Sequence, residues 1–517
     1  MVIDRGLQGK VLCLALLQGL VLYGLHQAVE RSLWPATRPE LWFSFGLLAL
    51  LLPVSLQLLQ RQWRNPVLWR ALSGLALVLG IVGWHLGAQV VLSPLAQKAN
   101  GTPLRASALP LAVLWFIVMA FLRARLEADG SRPGYPALFA AAWRNLLTLA
   151  EAGLFTGLLT LLLLLGATLF QSLDLPLFRT LFEQPLFLYP MLALAFGIAV
   201  QLVGRVDRLV DVVLGQVLGL LKWLAPVAGL LVVLITVALL PRLPGLFSSG
   251  DRALNAAWLL WLVAVSVLLL NAAYQDGRVE QPYGRVLGSA LRSLPPLLVI
   301  VSGTGLYALC VRVGEHGLTV GRYWGLVTAG FALLYAASYS WAALRPGPWM
   351  RGVGTANPLL AGLLLVLLLL SLTPVLSPFR LSAQSQQARV LTARDIDQQR
   401  SALRYLRFET GHYGQQAVQA LPAAQLQALS DPLPGTEDWL STMRVYPAGR
   451  ELPQALRDVL RQTHDAAQGA PRLPGPTAFW VQAAESDEPE LLLLLPGGRY
   501  RRYAQQDGAW RPVPLVP

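Results

Sequence analysis

The sequence predicts a mainly α protein: a polytopic transmembrane helix bundle of about 11 spans, followed by a small C-terminal extramembrane α+β domain. Three observations predict it. Of 517 residues, 55% are hydrophobic and only 13% charged, about half the roughly 25% charged content of soluble domains. The mean hydropathy is +0.52. Finally, apolar runs near the roughly 20 residues needed to cross a ~30 Å hydrocarbon core recur until Leu376, where Gln, Ser, Ala and Arg take over.

The runs are Val11–Val29, Leu41–Leu59, Ala71–Leu92, Ala108–Leu122, Leu146–Phe170, Pro185–Val203, Trp223–Leu240, Ala253–Ala273, Leu294–Val311, Tyr323–Leu344 and Pro358–Leu376. The fourth is the shortest. No A-x-A-like cleavage site follows the first, so it reads as an uncleaved helix rather than a signal peptide. Between the sixth and seventh runs, GRVDRLVDVVLGQVLGLLK (Gly204–Lys222) mixes Arg205, Asp207, Arg208 and Asp211 with apolar residues. It reads either as a helix on the membrane surface or as an extension of the flanking spans with Arg208 and Asp211 paired at i,i+3.

The division into domains falls at residues 1–379 and 380–517. In the second, Ala393–Phe408 reads as a helix with Ile396, Leu403 and Leu406 on one face, and Leu452–Thr463 as another. A β-meander over 477–515 follows, with strand-like runs at Ala478–Val481, Leu491–Leu495 and Arg499–Tyr503 separated by Pro and Gly turns.

The formal charge of +13 is not a nucleic-acid signature. Residues 1–379 carry 26 Lys/Arg against 14 Asp/Glu, whereas residues 380–517 carry 15 against 14. The excess therefore lies in the membrane loops. With eleven spans, the N-terminus and even-numbered loops hold 17 of those basic residues and the odd-numbered loops nine. By the positive-inside rule the N-terminus is cytoplasmic and the C-terminal domain lies outside the cytoplasm.

Polar residues inside or beside apolar runs are the candidate functional groups. In VRVGEHGLTVGRYW (Val311–Trp324), Glu315 beside His316 is a candidate proton-transfer pair. Alternatively Gly317 supplies a turn, Thr319 caps the next helix, Arg322 meets headgroups or Glu315, and Tyr323 and Trp324 sit in the interfacial belt. Asn271 and Tyr274 share a helix face and either line a polar cavity or stitch helices together, while Asp276-Gly277 is helix-stop chemistry. Glu151, five residues into the fifth run, and His85, in the third, lie toward opposite faces, which suits a transport pathway poorly. Cys13 and Cys310 form no CxxC, and no HExxH, GxSxG, P-loop or Rossmann fingerprint occurs. No catalytic residue, metal site or cofactor is therefore assigned.

Several segments in order resemble the bacterial membrane proteins of domain of unknown function 4153: FTGLLTLLLLLGATLF (Phe155–Phe170), LLLNAAYQDG (Leu268–Gly277), EHGLTVGRYW (Glu315–Trp324) and ALRYLRFETGHYGQQAVQAL (Ala402–Leu421). In the last, Leu-Arg-Phe precedes a Gly-x-Tyr-Gly. The resemblance implies a membrane protein with an extramembrane segment and assigns no activity. Where relatives carry an Asp/Gly-rich turn, this chain has AAESDEPE (Ala483–Glu490), without DxDxDG spacing, so calcium binding does not transfer. The leading expectation is a non-enzymatic envelope sensor or scaffold that contacts the lipid bilayer and an envelope protein partner. The alternatives are a transporter of a small or lipid-like substrate and a membrane-embedded transferase using Glu315 and His316.

Overall fold

The computed structural model describes residues 5–90, 102–128, 133–173, 177–204, 207–242, 256–277, 281–346, 348–429, 443–446, 452–465, 477–482, 489–495, 499–506 and 509–513. The chain divides into two compact units, Met1–Ala420 and Leu421–Pro517.

Eleven helices of the first unit are long and apolar enough to cross a membrane. In chain order its helices are α1 (Arg5–Glu30), α2 (Pro39–Leu58), α3 (Pro66–Gly87), α4 (Thr102–Glu127), α5 (Tyr135–Ser172), the short α6 (Leu177–Glu183), α7 (Pro185–Val203), α8 (Asp207–Leu239), α9 (Ala256–Tyr274), α10 (Arg285–Arg292), α11 (Leu294–His316), α12 (Val320–Leu344), α13 (Val353–Ser371), α14 (Pro378–Thr392), α15 (Ile396–Glu409) and α16 (Gly411–Gln419). Proline occupies the first turn of α2, α3, α5, α7, α11 and α14, where its missing N–H costs no helical bond.

Several boundaries differ from the hydropathy reading, most of them because a helix continues past the apolar run wherever polar residues still tolerate the helical backbone. The fourth span is 26 residues long, and α5 begins at Tyr135 and runs 38 residues. Glu151 therefore lies ~24 Å along α5 at 1.5 Å per residue, not near its start. The third span stops at Gly87, short of the expected Leu92. The stretch after Gly204 is no separate surface helix. From Asp207 it is the first half of α8, an unbroken 33-residue helix, and the expected Arg208–Asp211 side-chain pair lies outside the described residues.

Two apolar cores hold the spans. One joins α2, α3, α4 and α13 around Leu68, Leu79, Leu114 and Met119. The other joins α8, α9, α11 and α12 around Val232, Val263, Leu298 and Tyr339. α5 packs on α4 and α7, yet a row of its leucines, Leu154, Leu158, Leu161, Leu162, Leu165 and Leu169, is exposed. A helix apolar around its circumference is stable in that state only in hydrocarbon.

Composition changes after Pro374, yet α14, α15 and α16 belong to the same compact unit as the spans. In α15, Leu403 and Leu406 are buried, but Ile396, expected beside them, is 48% exposed. It occupies the first helical position, before the helix reaches its packing partners.

The second unit contains α17 (Ala423–Leu429), α18 (Gln454–Asp465) and strands β1 (Arg444–Tyr446), β2 (Thr477–Gln482), β3 (Pro489–Leu495), β4 (Arg499–Gln506) and β5 (Ala509–Val513). The sheet order is β1-β2-β3-β4-β5. The expected meander is present from β2 to β5, and β1 adds to β2 in parallel. Period-2 alternation turns Ala478, Leu491, Leu493, Tyr503 and Trp510 into one core with Leu456 and Leu460 of α18. Glu490 and Arg502 form a two-bond pair, with Arg502 Nη2 donating to Glu490 Oε1 at 2.7 Å and Nε to Oε2.

Those bonds hold the Glu490 carboxyl below its ordinary pKa, against the opposing effect of burial. A carboxylate depressed on folding stabilises above its unfolded pKa, and the contribution is lost as pH falls through the folded value. Arg502→Gln is expected to lower the protection of β3 and β4 amides from hydrogen exchange in the full chain at pH 7, by roughly 1–2 kcal/mol. The difference from the parent protein should be full above the ordinary glutamate pKa, shrink as pH falls below it, and vanish once the folded carboxyl is itself protonated. A pH-independent difference would remove the ion pair as its cause.

Candidate functional site

The hairpin between α11 and α12 is held by a dense set of hydrogen bonds outside the apolar cores. It forms because Gly317, at φ +72° and ψ 171°, ends α11, and because the Thr319 hydroxyl accepts the Arg322 N–H at 3.3 Å and caps α12. Arg322 Nη1 turns back to donate to the carbonyls of His316 (3.1 Å) and Gly317 (2.7 Å). These are orphan carbonyls of the α11 terminus, which need donors.

The remaining bonds come from α14 and α15. Gln386 donates to the His316 and Leu318 carbonyls at 3.2 and 2.9 Å. Leu318 N–H donates to Ser385 Oγ at 2.8 Å. Val320 N–H donates to the Tyr405 phenol oxygen at 2.8 Å, and burial raises the Tyr405 pKa, keeping it a neutral phenol. A membrane hairpin and two extramembrane helices are thus joined mainly through backbone groups.

Glu315 and His316 lie on the outer side of this clamp. Their side chains are 41% and 59% exposed, with Oε2 and Nδ1 3.6 Å apart. Of the expected residues, the structure brings Glu315, His316, Thr319 and Arg322 together. Ser385, Gln386 and Tyr405 escaped the sequence reading. The sequence signal of Ser385 and Gln386 is only a polar run after the last span, without recognisable spacing, whereas Tyr405 lies within the Ala402–Leu421 segment without standing out in it.

His85 belongs to a second contact of the same extramembrane helices. It is buried at the end of α3, with Nε2 3.3 Å from Ser377 Oγ and its ring 6.3 Å from that of Tyr413. Nearby, His412 N–H donates to the Gln89 carbonyl. The Gly-x-Tyr-Gly segment therefore seats α16 against the end of α3. Burial also raises the Tyr413 pKa.

Asn271 and Tyr274 lie elsewhere, in a polar cluster at the junction of α5, α9, α12 and α13. Asn357 Nδ2 donates to Asn271 Oδ1 (2.7 Å) and to Tyr135 OH (3.3 Å), and Tyr339 OH donates to Asn357 Oδ1 (2.9 Å). Tyr274 OH donates to the Arg351 carbonyl at 3.2 Å. Both amides are half-buried and tie four helices together. Asn357 was not singled out from sequence, since it stands just before the expected last run, Pro358–Leu376. Asn357→Ala removes the three bonds at once, each worth ~0.6–1.7 kcal/mol in a membrane. Thermal unfolding in detergent is expected to show a loss of about 2–4 kcal/mol, and an unchanged transition would make the cluster energetically idle.

Asp276 lies in the turn after α9, beside Gln275 and Gly277 at positive φ, as helix-stop chemistry requires. Glu151 is half-buried in α5 and joins neither cluster. Comparison of the chain with protein families, with characterised proteins and with solved structures finds no match.

Proposed function

We propose that this integral membrane protein is a non-enzymatic envelope scaffold or sensor of the bacterial inner membrane, with its N-terminus in the cytoplasm and its C-terminal unit in the periplasm, where it binds a protein partner. The observation that carries the reading is the clamp on the α11–α12 hairpin: helices leaving the membrane are fixed to backbone groups of a span connection. Such a joint suits a protein that transmits position or load from an extramembrane unit to its spans.

Transport is the weaker reading, because it asks for ionisable or polar groups free to meet a substrate near mid-membrane. His85 is hydrogen-bonded to Ser377, and Asn271 to Asn357. We also propose membership of the domain of unknown function 4153 family. Supporting it, three of the matched segments contain conformationally demanding positions, Gly277, Gly317 and Gly411.

Two experiments test the reading. Alkaline phosphatase fused after Pro517 is expected to be active, and a fusion active only as a cytosolic reporter would overturn the orientation. Affinity purification of the full chain from native membranes should recover one stoichiometric envelope protein, bound through residues 421–517. Recovery of the chain alone would count against a scaffold.

A further inference from the structure

We propose that the groove between α1 and α2 is a binding site for one anionic phospholipid, with an acyl chain lying in the groove and the phosphate met by Arg31 and Arg38. The groove is shallow and open along its side, with a volume of about 450 Å³. Its walls are apolar, formed by Val21, Leu25, Phe45, Leu48 and Leu52, with Gly24 and Ala49 leaving the space between them. It opens to the side of the bundle, since Val21, Phe45 and Trp34 are all exposed. From Phe45 to Leu52 it runs ~10 Å along α2, a length and an apolar lining that suit an acyl chain.

Its mouth is built for the membrane interface. Trp34 and Pro35 line it, and the Trp34 ring meets Phe45 edge-on at 5.8 Å. Trp42 Nε1 donates to the Leu25 carbonyl at 3.1 Å and ties the two helices beside the groove. Tryptophan at this level is where an amphipathic ring is most stable.

The loop containing Trp34 also supplies the charge. Arg31 and Arg38 are exposed, and among the described residues neither is paired with a carboxylate. The two acidic neighbours are otherwise engaged. Glu30 lies 3.7 Å from His26, and Glu40 is in the first turn of α2, where the helix dipole favours a negative charge. Two exposed guanidiniums on the same loop as Trp34 and Pro35, which line the groove, complement a headgroup phosphate joined to a hydrocarbon tail.

The test is native mass spectrometry of the full chain, incubated in mild detergent with phosphatidylglycerol or with phosphatidylcholine of the same acyl chains. The parent protein is expected to hold one phosphatidylglycerol after weaker adducts have left. Gly24→Leu fills the groove, and it should fold, because a Cβ at Gly24 meets nothing within 4 Å. It should retain at least about tenfold less lipid, as loss of a few buried methylenes implies. Arg31→Gln with Arg38→Gln should still bind lipid but lose the preference for phosphatidylglycerol. Equal retention of both lipids by the parent protein, undiminished binding by Gly24→Leu, or a lipid-free dimer would each overturn the proposal.

Discussion

Gly83→Val is expected to abolish recovery of a monodisperse protein, and Gly87→Val to do the same. At these positions α3 lies directly on the backbone of α2. A Cβ on Gly83 would stand 2.5 Å from Ser44 Cα and 2.7 Å from Ser44 N, and one on Gly87 would stand 2.4 Å from both Glu40 Cα and the Pro39 carbonyl oxygen. No flexible side chain is available to give way, so the helices must separate. Separation also breaks the contact of Ser44 Oγ with the Gly80 carbonyl at 2.9 Å and opens the core around Leu79 and Leu86. Overpacking by a methyl group alone costs about 1–3 kcal/mol. Without a hydrophobic driving force in lipid, close backbone packing of this kind is what holds transmembrane helices together. Gly74→Ala and Gly80→Ala are the controls, because a Cβ at either meets nothing within 4 Å. Size-exclusion chromatography and thermal unfolding in detergent should separate the two pairs. A Gly83→Val protein that elutes and unfolds like the parent would show that the α2–α3 contact is looser than described.

The contrast between these glycines marks what the sequence made legible. Lipid as solvent demands long apolar runs, so the eleven spans could be read from hydropathy alone, and the period-2 strands β2 to β4 were equally plain. Which glycines touch a neighbouring helix could not be read, since Gly80 and Gly83 differ only in the direction each faces. The clamp was half legible. Gly317 and Thr319 act locally, through a turn and a cap, and local chemistry leaves a pattern within a few residues. Ser385, Gln386 and Tyr405 act across sequence separations of 67, 68 and 85 residues, where one sequence carries no register. Asn357 was hidden for the same reason, its partners being spread over α5, α9 and α12.

Gly317→Val should release the extramembrane helices while leaving the spans folded. At φ +72° and ψ 171° the residue occupies a backbone region that is essentially glycine's own, and another residue there is strained by about 1–3 kcal/mol. The side chain would also collide with the clamp, its Cβ falling 2.5 Å from Arg389 Cδ and 2.8 Å from Gln386 Nε2. Arg389 can swing aside. Gln386 cannot do so without giving up its bonds to the His316 and Leu318 carbonyls, and α14 then loses the Leu318–Ser385 contact as well. Each such bond is worth about 1 kcal/mol. Strain and lost bonds together imply that amide protection across residues 378–420 falls roughly a thousandfold, the equivalent of about 4 kcal/mol. Protection in α2, α3 and α4 should not change, which distinguishes this variant from Gly83→Val. Gly314→Ala, one turn earlier with open space at its Cβ, is the control. Capture of a partner from native membranes should weaken in Gly317→Val if the clamp supports the extramembrane unit's task. Undiminished capture alongside lost protection would leave the clamp a purely structural joint.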